Sequence, residues 1–337
     1  MKRRTAVLWL LALVLLFGGC TRDKEPVRKE IFSMDTHITI TCYGKEAEEA
    51  ADAAAAEIER LNHLWSIGFE DSEVSRINRG ETKELSAETE EILATALSLY
   101  QETEGALDIK ILPLMELWGF TTRTPAVPDP KDLEEALQNV GADRLIFKDH
   151  KLELETGQGI DLGAIAKGYA SNRAAAVLQT FDIDGAILSL GGNIQCVGAK
   201  PAQGQDALWR VGIRRPDDGA GYLGVLALTN KAVITSGGYE RFFEENGQKY
   251  HHILDPKTGY PAQSGLVSVT IVSADGTLAD GLSTACFVMG KERSIAYWRD
   301  HADAFDMILM TEDGGLYITE PLEEIFDTEM TYEVISR

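Results

Sequence analysis

Positive charge is scarce in this chain: 32 lysines and arginines stand against 54 aspartates and glutamates, a net charge of −22 over 337 residues. So acidic a protein is ill suited to hold nucleic acid or anionic lipid through bulk charge, and no nucleic-acid partner is expected. Cysteine is scarce too. Besides Cys20 there are only Cys42, Cys196 and Cys286, an odd number at no metal-ligand spacing. That argues against a disulfide framework and favours small buried side chains. Long apolar runs are missing except Ala6 to Phe17, which is short for a bilayer span. There is no fixed-period repeat and no low-complexity tract, and the glycine-rich 157–170 segment has neither the six-residue Walker spacing nor the third glycine of a GxGxxG.

The apolar run belongs to a leader. Lys2, Arg3 and Arg4 precede it, and Gly18, Gly19 and Cys20 follow. A basic start, a short apolar stretch and small residues mark a secretion signal. The closing cysteine resembles a bacterial lipobox, with Phe17 where leucine is usual, so residues 1–19 read as a lipoprotein signal and Cys20 as the lipidated residue; a plain signal peptide is the alternative. Cleavage there would remove three positive charges and no negative ones, taking −22 to −25. Residues 20–30 read as a polar tether, and the expected location is extracytoplasmic, held at the membrane by lipid.

The remaining chain is long enough for one large domain or two fused ones. Strands are expected at Ile38–Tyr43, Gly185–Leu190, Trp209–Ile213, Tyr222–Leu228, Ala232–Thr235, Leu266–Ser273, Met307–Thr311 and Leu316–Thr319. Helices are expected at Lys45–Trp65, Ala87–Thr103, Pro130–Val140, Ala164–Leu178, Leu278–Val288 and Ile295–His301, with a hairpin turning at Asp149 and His150. Without regular βαβ alternation, the pattern is α+β with mixed or antiparallel sheets and flanking helices.

Chemistry concentrates in a few segments. HHILDPKTGYP, residues 251 to 261, packs two histidines, an acid, a lysine and turn formers between strand-like runs. Such clusters cost stability and are kept mainly where a site is built. In LADGLSTACFVMG, Asp280 and Thr284 fall one helical turn apart on one face. A carboxylate and a hydroxyl so placed suit a hard cation such as Mg²⁺; N-terminal capping by Asp280 is the competing reading. Gly157, Gly159 and Gly163 precede a helix start with Lys167 in it, which suits phosphate or a tight packing turn. SLGGNI ends a strand in a turn, and Asp108 could accept from a ligand or cap a helix.

In order, SMDT (33–36), DSEVSRIN (71–78), GALDIKILPLMELWGF (105–120), IDLGAIAKGYA (160–170), LGGN (190–193), TSGGYERFF (235–243), HHILDPKTGYP (251–261) and ADGLST (279–284) resemble the bacterial FAD:protein FMN transferases, the ApbE family. Each is weak singly; the ordered set is specific and spans nearly all of residues 31–337. The resemblance implies a flavin transferase domain of T-fold-like architecture around a central flavin cleft, one unit or two intertwined subdomains. It implies Mg²⁺-dependent cleavage of FAD, release of AMP, and a phosphoester from FMN to a threonine of a redox-complex subunit. Position by position, it implies the Ala164 carbonyl, Asp280 and Thr284 as metal ligands, and Met34, Ala106, Leu107, Asp108, Asp161, Lys167 and Ile253 as FAD contacts. His252 would be the base, His251 would have a structural or indirect role, and Asp255 would orient the loop or His252. The chain departs from the family at Asp35, where glycine is usual, and at Gly68, where an aromatic often covers the flavin; neighbouring Phe69 is the substitute. An FAD pyrophosphatase and a lipid-anchored flavin carrier are the competing functions.

Overall fold

The computed structural model describes residues 25–122, 124–201, 207–216 and 221–337. The expected signal and Cys20 lie outside the described residues.

A nine-stranded sheet organises the fold, in the order β1 (Val27–Ser33), β2 (Thr36–Gly44), β5 (Ile183–Leu190), β6 (Asn193–Gly198), β9 (Ala232–Gly237), β12 (Leu266–Ser273), β13 (Phe305–Thr311), β14 (Leu316–Thr319) and β16 (Glu333–Ile335). The registered pairs are antiparallel except β14 with β16, which run parallel. The small sheets are β3 (Ile146–Lys148) with β4 (Lys151–Glu153), β10 (Phe242–Glu245) with β11 (Gln248–His251), and β7 (Trp209–Arg214) with β8 (Tyr222–Leu228) and β15 (Phe326–Asp327). The α+β expectation is met.

Alternation along the central strands divides the core. Ala232 and Ile234 of β9 and Val269 and Ile271 of β12 join the core with helices α1 (Ala47–Trp65), α3 (Ala87–Glu102), α6 (Ala166–Leu178) and α7 (Gly276–Met289). Val233 and Val272 face the other way, onto Val211, Leu226 and Phe326 of the three-stranded sheet. A period of two on strands buried on both faces produces this split. A third cluster, around Trp118, joins α4 (Leu112–Leu117), α5 (Pro130–Leu137), Phe243 and Tyr250. Among the described residues the remaining α-helices are α2 (Glu73–Asn78) and α8 (Lys291–His301). Cys42, Cys196 and Cys286 are free and buried, and burial pushes their thiols up to about 11, 12 and 12.

Several expectations need correction. The tether does not reach Glu30: β1 begins at Val27, and its ladder to β2 gives those polar residues backbone partners that their alternation alone did not advertise. The helix expected from Ala164 starts at Ala166, because Gly168 N–H bonds outside the helix, as described below. Asp280 is not a cap: Asp275 caps α7, its Oδ1 accepting from Thr277 and Leu278 N–H. The Asp149–His150 turn is present, both residues taking the positive φ that a two-residue hairpin needs.

Candidate functional site: buried oxygens around Asp280 and a neutral histidine

The turn before α6, helix α7 and the central strands meet around Asp280. Asp280 is 4% exposed. Its Oδ2 accepts from Gly168 N–H at 2.8 Å and its Oδ1 from Asn193 Nδ2 at 3.0 Å. No lysine or arginine among the described residues forms an ion pair with it. A buried carboxylate with no countercharge is costly, which suits a site that takes up a cation.

The bond from Gly168 has a second effect. In an uninterrupted helix that N–H would donate to Ala164 O. Here it goes to Asp280, while Ala166 N–H donates to Leu162 O and Tyr169 N–H to Ile165 O. The Ala164 carbonyl is left without a backbone donor among the described residues. Close approach makes the arrangement possible: a Cβ on Gly168 would lie 2.1 Å from Gly276 O and 2.6 Å from Asp280 Cβ. Thr284 stands one turn beyond Asp280, its Oγ1 3.4 Å from Ser236 Oγ. The carbonyl, carboxylate and hydroxyl therefore fit a hard cation chemically. They are one acid and two neutral oxygens; among the described residues no group of three or more His, Cys, Asp or Glu could hold a metal.

His252 follows β11. Its backbone N–H donates to Arg241 O at 3.0 Å, and its Nδ1 lies 3.1 Å from the same oxygen. A carbonyl only accepts, so Nδ1 carries the proton and Nε2 the free lone pair. The residue is half-buried, but its ring sits among protein atoms. That desolvation, with the nearby Arg241 charge, pulls its pKa down to about 3. Arg241 is itself fixed by donating to Phe120 O at 3.0 Å. His251 turns the other way. Its Nε2 reaches Ala262 O at 3.2 Å and its ring stands edge-on to Phe287, which makes it a packing residue. Asp255 organises the loop: its Oδ1 accepts from Lys257 N–H and its carbonyl from Gly259 N–H. The structure gives it no bond to His252.

Lys167 links the two halves. Its Nζ donates to Gly163 O at 3.3 Å, and its charge acts on Asp161, Glu240 and His252. Glu240 feels Lys167 and Asp280 together. Although the residue as a whole is exposed, loss of water around its carboxyl, opposed by Lys167 and reinforced by Asp280, raises its pKa to about 6. Asp161 is raised by burial against a bond from Gly163 N–H at 2.8 Å, and its own N–H donates to Ile109 O, tying the α6 turn to the 105–111 segment. Ala106, Leu107, Asp108 and Ile253 are buried at the same core, with Met34 and Ala164 packed against it. Asp108 also acts as a cap: Oδ1 accepts from Lys110 N–H and Oδ2 from Gly141 N–H. Met34 and Asp35 both have positive φ, 51° and 57°, in the two-residue turn between β1 and β2. Aspartate tolerates that conformation, so the Asp35 departure keeps the turn, while Met34 is held there at a cost of order 1–3 kcal/mol. Phe69, beside Gly68, is 41% exposed with its ring against His63.

The family model described as "ApbE family" matches residues 34–309. The chain belongs to the ApbE family. It is 33% identical to the FAD:protein FMN transferase of Vibrio cholerae over 320 residues, covering 91% of this chain and 95% of that one. The Treponema pallidum protein of the same name is 34% identical over 305 residues, 84% of each chain. The crystal structure of the ApbE protein of Thermotoga maritima superposes with a TM-score of 0.82 at 34% identity, covering 89% of this chain and 99% of that one. The flavin transferase ApbE of V. cholerae gives 0.79 at 28%, with the same coverage. Within this ApbE fold, the candidate residues fall in seven of the eight quoted segments, while Asn78 of DSEVSRIN holds the Ile160 backbone that leads into them. The site assignments passed over Asn193, Ser236, Glu240 and Arg241, although they lie in the quoted LGGN and TSGGYERFF segments; an amide or hydroxyl that holds another side chain has no spacing signature of its own.

Proposed function

We propose that this chain transfers FMN from FAD to a threonine hydroxyl of an acceptor protein, with Mg²⁺ and release of AMP. The observation that carries the reading is the pairing of an uncompensated buried carboxylate and a free carbonyl with a histidine whose unprotonated Nε2 is available at neutral pH. Ala164 O, Asp280 and Thr284 would hold the cation, and Met34, Ala106, Leu107, Asp108, Asp161, Lys167 and Ile253 would contact FAD. When bound, Mg²⁺ supplies charge neutralisation at the diphosphate.

The chain's own groups do the rest. His252 Nε2 takes the proton of the acceptor hydroxyl as its oxygen bonds to the FMN phosphorus. The bond from that phosphorus to the AMP oxygen breaks, and AMP leaves with the electron pair. The Arg241 carbonyl holds the imidazole in the tautomer this needs. Lys167 sets a positive charge beside the phosphate path of an otherwise acidic protein. The acceptors would be redox-complex subunits carrying a threonine among small residues. Acylation of Cys20 would keep the domain at the outer face of the cytoplasmic membrane, beside membrane-bound acceptors; a Cys20→Ala chain released into the soluble fraction would support that placement.

Incubation with FAD, Mg²⁺ and a threonine-containing acceptor peptide tests the activity. Flavin fluorescence on the peptide, with stoichiometric AMP, is expected. Free FMN and AMP without labelled peptide would make the protein a pyrophosphatase, and intact FAD would make it a carrier.

A further inference from the structure

We propose that Ser236 and Ser283 are positioning residues: a relay of hydroxyls running from Thr284 to the Asp280 carbonyl that turns the Thr284 lone pairs toward the cation. The inference rests on reading Ala164, Asp280 and Thr284 as cation ligands.

The direction of every proton in the relay follows from one end. Ser283 Oγ lies 2.8 Å from Asp280 O, a carbonyl, so Ser283 must donate there. Its only proton is then used. Ser236 Oγ, 2.7 Å from Ser283 Oγ, must therefore be the donor in that pair. With its own proton spent, Ser236 can only accept from Thr284 Oγ1 at 3.4 Å. Thr284 is left with its proton pointing at β9 and its lone pairs pointing elsewhere.

A helical threonine can also donate to the carbonyl three or four residues back, here Gly281 O or Asp280 O. Among the described residues the bond that Thr284 Oγ1 makes is instead to Ser236, while Asp280 O accepts from Ser283. Ser236 reaches α7 because it continues the face of Ala232 and Ile234, which β9 turns toward the helices. Ser283 is fully buried, so the relay is shielded from competing water. A hydroxyl that serves as a cation ligand must not aim its proton at the ion; fixing that orientation before the ion arrives is what outer residues do for ligands at metal sites.

Mn²⁺ binding to the full chain, read from loss of the free-ion electron paramagnetic resonance signal, tests this without turnover. Ser236→Ala should weaken Mn²⁺ binding about 10- to 100-fold, the usual effect of removing an outer partner. Ser236→Cys, near-isosteric with a weak acceptor, should act the same way if Ser236→Ala folds poorly. Thr235→Val, which removes a hydroxyl bonded to Thr270 on the neighbouring strand, should leave binding unchanged. In a Thr284→Val background, Ser236→Ala should cost nothing further, because the residue acts through Thr284. If wild type and Asp280→Ala bind Mn²⁺ alike, the cation reading falls and the relay with it. If wild type binds at this site and Ser236→Ala binds equally well, the relay alone is wrong. An equal loss in the Thr284→Val background would likewise overturn it.

Discussion

The two sides of the site are built to opposite specifications. Around Asp280 the chain is dry and tightly packed: α6 and α7 approach so closely that Gly168 has no room for a Cβ, and Asp280, Asn193 and Ser283 are buried. Around His252 the support is aromatic and open. Phe243 and Tyr250 of the β10–β11 hairpin stack on each other and lean on Trp118, while Phe242 and Tyr260 remain exposed. A small ion gains from a rigid oxygen set whose geometry is settled before it binds. A base that must meet a hydroxyl on another protein has to stay accessible. On the proposed reading, this contrast would separate binding of the diphosphate from admission of the acceptor.

Substitutions should break the two sides differently. Asp280→Ala is expected to have the largest effect: metal-dependent transfer is lost, and activity that survives excess chelator would remove the Mg²⁺ assignment. His252→Ala should lower transfer about 10²- to 10⁴-fold, the range of a lost general base. FAD affinity, followed by flavin fluorescence, should stay the same, and a normal transfer rate would refute the base. Gly168→Ala tests packing rather than chemistry. Its Cβ collides with the Gly276 carbonyl, so chemical denaturation should show a loss of about 1–3 kcal/mol or more. Trp118→Phe, beneath the aromatic hairpin, should cost a similar amount. It removes the indole bond to Gly259 O at 2.7 Å and leaves a void in a fully buried cluster, a loss of about 1–3 kcal/mol.

The His252 side also predicts a pH dependence. The folded pKa of His252 lies near 3, below the ordinary 6.5, so the unfolded chain takes up a proton first as pH falls. Its contribution to stability is therefore complete above about pH 6.5 and is lost progressively from there toward pH 3. Nitrogen chemical shifts should report a neutral Nδ1–H imidazole at pH 5 in the substrate-free protein; a neutral Nε2–H form would contradict the tautomer, and a midpoint near 6.5 would contradict the desolvation of the ring.

Sequence legibility follows the same division. The strands and helices of the central sheet announce themselves because apolar periodicity is set by the core they face: β2, β12, α1 and α7 begin and end within two residues of expectation. Asp280 and Thr284 were legible as a pair because a helix fixes which residues share a face. β1, β10, β11 and β16 were not, since edge and hairpin strands carry polar residues on exposed faces and take their definition from pairing. The competition between capping and ligation at Asp280 could not be decided from spacing. Asp275, five residues earlier, accepts the helix's first N–H groups, which removes the capping reading. The Ala164 carbonyl was implied by the family resemblance but not by spacing, because its release depends on a bond between Gly168 and Asp280, far apart in the chain.

The most direct measurement is an anomalous-scattering map of the protein crystallised with Mn²⁺ and FAD. The account predicts one manganese peak touching Ala164 O, an Asp280 carboxylate oxygen and Thr284 Oγ1, with the FAD diphosphate lying between it and His252 Nε2. A peak away from these oxygens, or a diphosphate bound out of reach of His252, would contradict it.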